Sequence, residues 1–440
     1  AIEALLAEIV GWVWGMPLVV LLIGSGLIFT VSLGFIQFRG FKHALQVVFG
    51  KFDHPDDPGE ISHFQALTTA LSATVGLGNI AGVAVAVQAG GPGAVFWMIM
   101  TGIVGMATKY SECSLAVMYR KVDNEGRVHG GPMHYIVLGL GQKWKPLAIF
   151  FCICCICSTF GAGNMFQSNQ VAAILSKNFA IPTWATGLTL AVLTAAVILG
   201  GIRRIGAVTS KLVPFMGGIY VIGSIAVILV NYDKVGGLLY SIVHDAFNGT
   251  AVAGGAAGAT IKIALDTVIR QGVRRACFSN EAGLGSAPIA HSAAATKEPI
   301  REGVVALLEP FIDTVVICTM TALVILISGE WTSGLTGVDL TAAAFNHSFP
   351  GFGEYFIPLA VLLFAYSTLL SWSYYGEQAV DFLSSEKNVK RNVLIYKVIF
   401  CMITFSGALW TIGPVLNFSD IMLGLMVIPN LTAVWLLFPR

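Results

Sequence analysis

An apolar run of bilayer length, residues 64–88, is interrupted at its centre by Ala73-Thr74-Val75-Gly76-Leu77-Gly78-Asn79-Ile80-Ala81-Gly82. Two glycines within three residues each cost a helix about 1 kcal/mol against alanine. A helix that parts there frees backbone N–H and C=O groups where lipid offers them no partner. Such backbone persists only where protein buries it or where it lines a polar cavity, so the interruption marks a candidate site. A near copy occurs in the second half, Ala282-Gly283-Leu284-Gly285-Ser286-Ala287-Pro288-Ile289-Ala290, again inside an apolar stretch. Paired interruptions in corresponding segments of two halves point to an inverted repeat with a midplane site between the breaks.

Charge is scarce along the whole chain. Of its 440 residues 56% are apolar and 11% charged, against about 25% charged in soluble domains, so the chain reads as an all-α polytopic membrane protein. A formal charge of +1 leaves no surplus for nucleic acid or another strongly charged partner. Cys152, Cys154, Cys155 and Cys157 crowd one apolar span. As metal ligands they would have to ionise inside the bilayer with no His or carboxylate nearby in sequence, so they read as packing residues. The first apolar run, Ile9 to Phe35, follows acidic Glu3 and Glu8 and is long enough to span; it reads as a retained helix, not a signal peptide. His63, His129, His134 and His291 show no ligand spacing and read as loop or helix-end residues.

Apolar runs of about 20 residues place eleven spans, near 10–35, 64–88, 93–119, 146–175, 184–201, 206–231, 259–297, 302–328, 353–383, 392–413 and 418–438. Lys and Arg accumulate in alternate loops: Arg39, Lys42 and Lys51, then Arg120, Lys121 and Arg127, then Arg203, Arg204 and Lys211, then Lys297 and Arg301, then Lys387, Lys390 and Arg391. The bias predicts an outside N-terminus and a cytoplasmic C-terminus. With residues 10–35 set aside as an added helix, 64–231 and 259–438 form two groups of five, each opening on a broken span. Five is odd, so the second group enters from the opposite side. Residues 232–258 connect them, with an amphipathic run (Val235 to Phe247) read as an in-plane external helix and a flexible Gly254, Gly255, Gly258 patch.

Asp266, Arg270 and Arg274, with Lys262 and Arg275, precede the second break against the loop bias. They are assigned to an external vestibule, since intramembrane charges usually face a wet pathway. The alternative puts the span at 250–270, those arginines in the cytoplasm and the second break in a loop.

Phe278-Ser279-Asn280-Glu281-Ala282-Gly283-Leu284-Gly285-Ser286-Ala287-Pro288, with Gly161-Ala162-Gly163-Asn164 and Gln170, carries a resemblance over nearly the whole length. The chain resembles the alanine or glycine:cation symporter family, bacterial and archaeal carriers that move small amino acids with sodium. Gly76-Leu77-Gly78-Asn79 followed by Gly90-Gly91-Pro92-Gly93-Ala94-Val95-Phe96 is also similar to sodium-coupled transporters of the leucine-transporter fold. The resemblance implies that five-plus-five fold, alternating access, sodium as a co-transported ion and not a fixed cofactor, and alanine and glycine as substrates. It implies a bacterial or archaeal cell membrane as the location. A monomer is expected.

A zwitterion needs donors for its carboxylate and acceptors for its ammonium, which half-helix N-termini and unwound carbonyls supply. The amides of Leu77 and Gly78, with Gly283 and Leu284 opposite, are expected to hold the carboxylate, and carbonyls near Thr74, Phe278 and Ser279 to face the amine. Asn79 and Asn280 are expected contacts beside them. A lone Gly-x-Gly would more often mark close helix packing. The resemblance implies one sodium at Thr74, Asn79 and Ser279. It implies a second at Phe364, Ser367 and Thr368, whose spacing shares one helix face, with carbonyls of Ser72 and Val75 opposite. The competing reading has Ser367 and Thr368 merely bonding their own helix. Glu281 is open between cation ligand, proton acceptor and backbone support. Phe166 and Gln170 are expected in the pocket, and Trp372 either caps it or marks an interface. A cation channel using Thr74-Val75-Gly76-Leu77-Gly78 as its filter is the runner-up, but the second copy lacks Thr-Val. No His-Glu-x-x-His, Gly-x-Ser-x-Gly or phosphate-loop motif supports an enzyme.

Overall fold

The computed structural model describes residues 2–248, 261–410 and 413–439. Apart from a hairpin, β1 (Lys121–Val122) with β2 (Val128–His129), the regular structure in these residues is helical. Helices α1 (Ile2–Val13) and α2 (Met16–Ser32) form the added N-terminal segment, separated by a turn at Trp14 and Gly15. Helices α3 (Ile36–Arg39) and α4 (Phe41–Val48) follow on the face of the basic loops.

The first broken segment starts at α5 (His63–Thr74). A capping box fixes its beginning: Ser62 Oγ accepts from Gln65 N–H at 3.2 Å and Gln65 Oε1 from Ser62 N–H at 3.1 Å, covering donors the helix leaves orphaned. Val75 leaves the helical region, and the chain resumes as a π-turn, Gly78–Gly82, leading into α6 (Val83–Met118). Gly91 interrupts α6 at φ 62°, ψ −167°, a conformation closed to most side chains, so the Gly-Gly-Pro sequence ends the first broken segment and Pro92 opens the next crossing.

After α7 (Pro132–Leu140) come α8 (Lys145–Phe160), a second π-turn at Gly161–Met165, α9 (Phe166–Phe179), α10 (Thr183–Ile198), α11 (Gly201–Val230) and α12 (Tyr232–Asn248). Helix α12 contains the amphipathic run expected in-plane, and Trp97 Nε1 donates to its Ala246 carbonyl at 3.0 Å. Gly254, Gly255 and Gly258, and the Lys262 side chain, lie outside the described residues. The second broken segment is α13 (Ile261–Asn280), a buried turn, and α14 (Ala287–His291). Then follow α15 (Pro299–Ala306), a π-helix at Phe311–Cys318, α16 (Thr319–Ser328), α17 (Gly337–Ser348), α18 (Phe352–Leu383), α19 (Val389–Gly407) and α20 (Gly413–Leu437).

Among the described residues, seven helices are long and apolar enough to cross a bilayer unaided: Glu3–Ser32, Gly78–Met118, Gln142–Phe179, Gly201–Val230, Pro299–Ser328, Phe352–Leu383 and Gly413–Leu437; Thr183–Ile198 is a shorter apolar helix. The expected eleven needs α10, the two broken segments and α19, whose Lys390, Arg391 and Lys397 dilute it, counted as crossings as well. Residues 281–290 are buried throughout. The N-terminal segment packs on the last helix, where Trp14 Nε1 donates to Asp420 O at 2.9 Å and Trp435 Nε1 to Ser25 Oγ at 2.8 Å.

On the basic-loop face, the guanidinium of Arg120 gathers four carbonyls, those of Pro58, Ser292, Ala294 and Thr296, at 2.5 to 2.7 Å. Ala295 N–H donates to Ile61 O at 2.8 Å beside them. The approach to α5 and the exit from α14 are thereby tied together. The hairpin reaches across to α18, where His129 Nδ1 meets Asp381 Oδ2 at 2.6 Å, a hydrogen bond that raises the His129 pKa above its usual value against partial burial.

Candidate functional site

The two breaks touch. A Cβ on Gly78 would lie 3.5 Å from Ser279 Cα and 3.6 Å from Phe278 Cδ1, so the glycine permits the helix ends to meet. The second turn runs through three left-handed residues, Glu281 (φ 55°), Gly283 (φ 85°) and Gly285 (φ 84°). For glutamate this conformation is strained, and such strain collects at functional sites.

Between the breaks lies a cavity of about 30 Å³. The first break contributes Ala73, Thr74, Gly76, Leu77 and Gly78, the second Phe278 and Glu281, and the remaining walls are Ala162, Gln167, Thr368, Trp372 and Leu423. Glu281 Oε1 accepts from Trp372 Nε1 at 3.1 Å and its Oε2 from Ser286 Oγ. Trp372 sits over Gly163, where a Cβ would come within 2.6 Å of it. Gln167 Nε2 donates to Ala162 O, in the π-turn, at 2.9 Å, while its Oε1 is buried without a protein partner. Leu77 and Gly78 stand at the start of the helix beyond the break, where the first N–H groups have no intrahelical acceptor.

Of the expected substrate contacts, Thr74, Leu77, Gly78, Phe278 and Trp372 line this cavity, together with Glu281. Phe166 and Gln170 do not. Gln170 lies one turn beyond Gln167 toward the helix end and donates to Asn169 Oδ1 at 3.4 Å, so the wall position belongs to Gln167. Gly283 and Leu284 also point elsewhere: the left-handed turn sends Gly283 N–H to Glu112 Oε1 at 3.4 Å, and Leu284 N–H closes on Glu281 O at 3.1 Å. Asn280 is consumed by the turn, donating to Thr314 Oγ1 at 3.0 Å and accepting from Ala282 N–H at 3.0 Å. Asn79 likewise braces the first break, its Oδ1 accepting from Gly76 N–H at 2.8 Å.

The expected sodium ligands between α5 and α18 do come together. Thr368 Oγ1 donates to Ser72 O at 3.2 Å and to Phe364 O at 3.0 Å; Ser367 Oγ donates to the same two carbonyls at 3.3 and 2.8 Å; Ser72 Oγ donates to Ser367 O at 2.6 Å. Val75 stands at the unwound end of α5 beside them. Hydroxyls and carbonyls without a competing cation suit a small hard ion. The other expected set separates. Thr74 Oγ1 turns back on its own helix, to Ala70 O at 3.2 Å. Asn79 Nδ2 and Ser279 Oγ instead converge on Asp313 Oδ1, at 2.6 and 3.0 Å.

Asp313, fully buried in the π-helix, went unnoticed in the sequence, although an acid inside an apolar run is a site candidate by default. Gln167 belongs with Asn164, Phe166 and Gln170 to a polar and aromatic cluster visible in the sequence, in which the resemblance favours Gln170. The π-turn at Gly161–Met165 shifts the side-chain register in a way that hydropathy does not record, and Leu423 carries no signal in the sequence. In the assigned vestibule, Asp266 and Arg270 pair at 2.9 Å and stay partly exposed, whereas Arg274 is held by Asp420 at 2.8 Å.

The profile of the sodium:alanine symporter family matches residues 1–440. The chain belongs to that family. It is 43% identical over 432 residues, 97% of this chain and 92% of the other, to the sodium/alanine symporter AgcS of Methanococcus maripaludis. It is 38% identical over 420 residues, 95% and 86% of the two chains, to the amino-acid carrier protein AlsT of Bacillus subtilis. Its fold is similar to that of MhsT solved in complex with L-phenylalanine, with a TM-score of 0.56 at 13% identity over 87% of this chain and 99% of that one. The family member described here is thus a leucine-transporter-type fold and a cation-coupled amino acid symporter, not an enzyme, with sodium a transported ion and not a resident cofactor.

Proposed function

We propose that this carrier couples inward sodium movement to uptake of alanine and glycine by alternating access. It works as a monomer in a bacterial or archaeal plasma membrane, with the N-terminus outside and the basic loops inside. The observation that carries the reading is the small cavity between the two breaks, walled by helix-end amides on one side and by the unpartnered Gln167 Oε1 and Glu281 on the other. The amides of Leu77 and Gly78 take the carboxylate; Gln167 Oε1, the Phe278 carbonyl and Glu281 face the ammonium. Trp372, backed by Gly163, limits the side chain to a methyl or less.

One sodium takes the carbonyls of Ser72, Val75 and Phe364 with the hydroxyls of Ser367 and Thr368. A second lies by Asp313 and Ser279, with Asn79 holding the carboxylate in place. The carrier holds both ions and substrate tightly only when the breaks are closed on them, so loading shifts it toward the closed state. Purified protein in liposomes is expected to accumulate labelled alanine only under an inward sodium gradient, with glycine competing. Uptake that proceeds equally in potassium refutes the coupling.

A further inference from the structure

A second polar system, separate from the cavity, runs through the protein below the breaks. Asp53, on a basic loop and 47% exposed, lies 4.0 Å from His63 Nε2. His63 Nδ1 bonds Glu302 Oε2; Glu302 Oε1 meets His291 Nδ1 at 2.6 Å; His291 Nε2 lies 3.6 Å from Glu309 Oε2; Glu309 Oε1 accepts from Lys109 Nζ at 3.0 Å. From His63 inward every member is buried. Both nitrogens of each imidazole therefore face a carboxylate, an alternation of acid and base that no packing requirement explains. Burying these groups costs several kcal/mol per ion before pairing, and replacing such sets by apolar residues is often neutral or stabilising.

Charge balance sharpens the point. Glu112, Glu281, Glu302, Glu309 and Asp313 bring five carboxylates into one interior, against the ammonium of Lys109 and two imidazoles. Glu112, beside Lys109 on α6, accepts from Asn430 Nδ2 at 2.7 Å and from Gly283 N–H of the second break at 3.4 Å. At the surface end, Arg120 is spent on carbonyls, and Arg301 and Lys297 are near Asp57 at 3.5 and 3.8 Å. With both rings protonated, three positive charges face five carboxyls, so the set reaches neutrality only if carboxyls hold protons or other cations enter.

We propose that Asp53, His63, Glu302, His291, Glu309 and Lys109 form a proton relay between the basic-loop face and the second break, releasing protons when sodium binds the bundle and taking them up when sodium leaves. Each transfer balances: on release the Lys109–Glu309 pair gives up one proton, His291 accepts it at Nε2 and passes one from Nδ1 to Glu302, Glu302 receives at Oε1 and gives from Oε2 to His63, and His63 gives one from Nε2 through Asp53 to water; uptake runs in reverse. The inference rests on the sodium coupling proposed above.

The test is an unmutated one. Purified protein in weakly buffered detergent, with a pH-indicating dye, receives sodium and alanine between about pH 6 and 9, where imidazole and perturbed carboxyls titrate. The relay predicts release of about one proton per chain, as expected when a cation replaces bound protons, and none with potassium. His63→Gln cuts the surface step and is expected to slow release at least severalfold while alanine binding keeps its sodium dependence. Sodium-dependent alanine binding without any proton release from the unmutated protein overturns the relay alone. Alanine binding indifferent to sodium overturns the reading it rests on.

Discussion

Gly76→Ala tests the sodium site through a single methyl. The φ of Gly76 is not left-handed, so alanine fits the backbone, but its Cβ would stand 2.7 Å from Thr368 Oγ1, with the next atom, Thr368 Cβ, at 3.8 Å. The hydroxyl must swing away, giving up its bonds to Ser72 O and Phe364 O. Losing one ligand oxygen from a buried polar set costs about 1–3 kcal/mol. At about 1.4 kcal/mol per decade, the sodium concentration for half-maximal alanine uptake rises roughly 5- to 150-fold. The fold itself loses less, since alanine in place of glycine returns about 0.4–1 kcal/mol through the unfolded chain. Alanine uptake into liposomes at graded sodium measures the shift. If Thr368→Val is then combined with Gly76→Ala, little is added, because both remove the same oxygen. A sodium requirement within twofold of the parent, in protein that elutes and melts normally, would show that Thr368 is not a ligand.

Gly163→Ala drives a methyl into the Trp372 indole and is expected to reduce alanine uptake more than glycine uptake, read by competition between the two labels. Gln167→Leu removes the unpartnered cavity acceptor and weakens alanine binding about tenfold or more, whereas Gln170→Leu leaves it within twofold; isothermal titration of both variants decides between them. The raised His129 pKa makes the hairpin's hold on α18 pH-dependent. Its contribution is complete below the unfolded value of about 6.5 and is lost as pH rises through the higher folded value. Amide exchange in residues 121–129, corrected for its intrinsic pH dependence, is expected to show protection falling with alkalinity, and His129→Gln to remove that trend.

The sequence disclosed the architecture because lipid leaves few choices. Membrane-length runs and alternating Lys and Arg loops each have one physical reading, and the two Gly-interrupted segments, ambiguous singly, acquire one by occurring as a pair. The residues between α5 and α18 were pointed out by the resemblance, and the spacing of Phe364, Ser367 and Thr368 on one face of a regular helix agrees with it. What the sequence hid lies where helices are irregular. Gly283 and Leu284 repeat the motif of the first break, yet the left-handed turn spends their amides on Glu112 and Glu281, so the two copies are alike in sequence and unlike in role. The His63 to Lys109 run stayed hidden because the pairings that close it, His63 with Glu302 and Lys109 with Glu309, join residues 239 and 200 positions apart, which local pattern does not record. His63 and His291 do stand at helix ends, opening α5 and closing α14, yet they are among the most buried groups in the protein, which their position in sequence did not show.

Equilibrium binding to the purified carrier bears most directly on the claim that the two breaks cradle a zwitterion together with its driving ion. Alanine affinity measured at rising sodium, and sodium affinity at rising alanine, must strengthen by one common factor, since coupling between two bound ligands is reciprocal. The account predicts a factor of about ten or more in both directions. Alanine bound equally well in sodium and in potassium would contradict it.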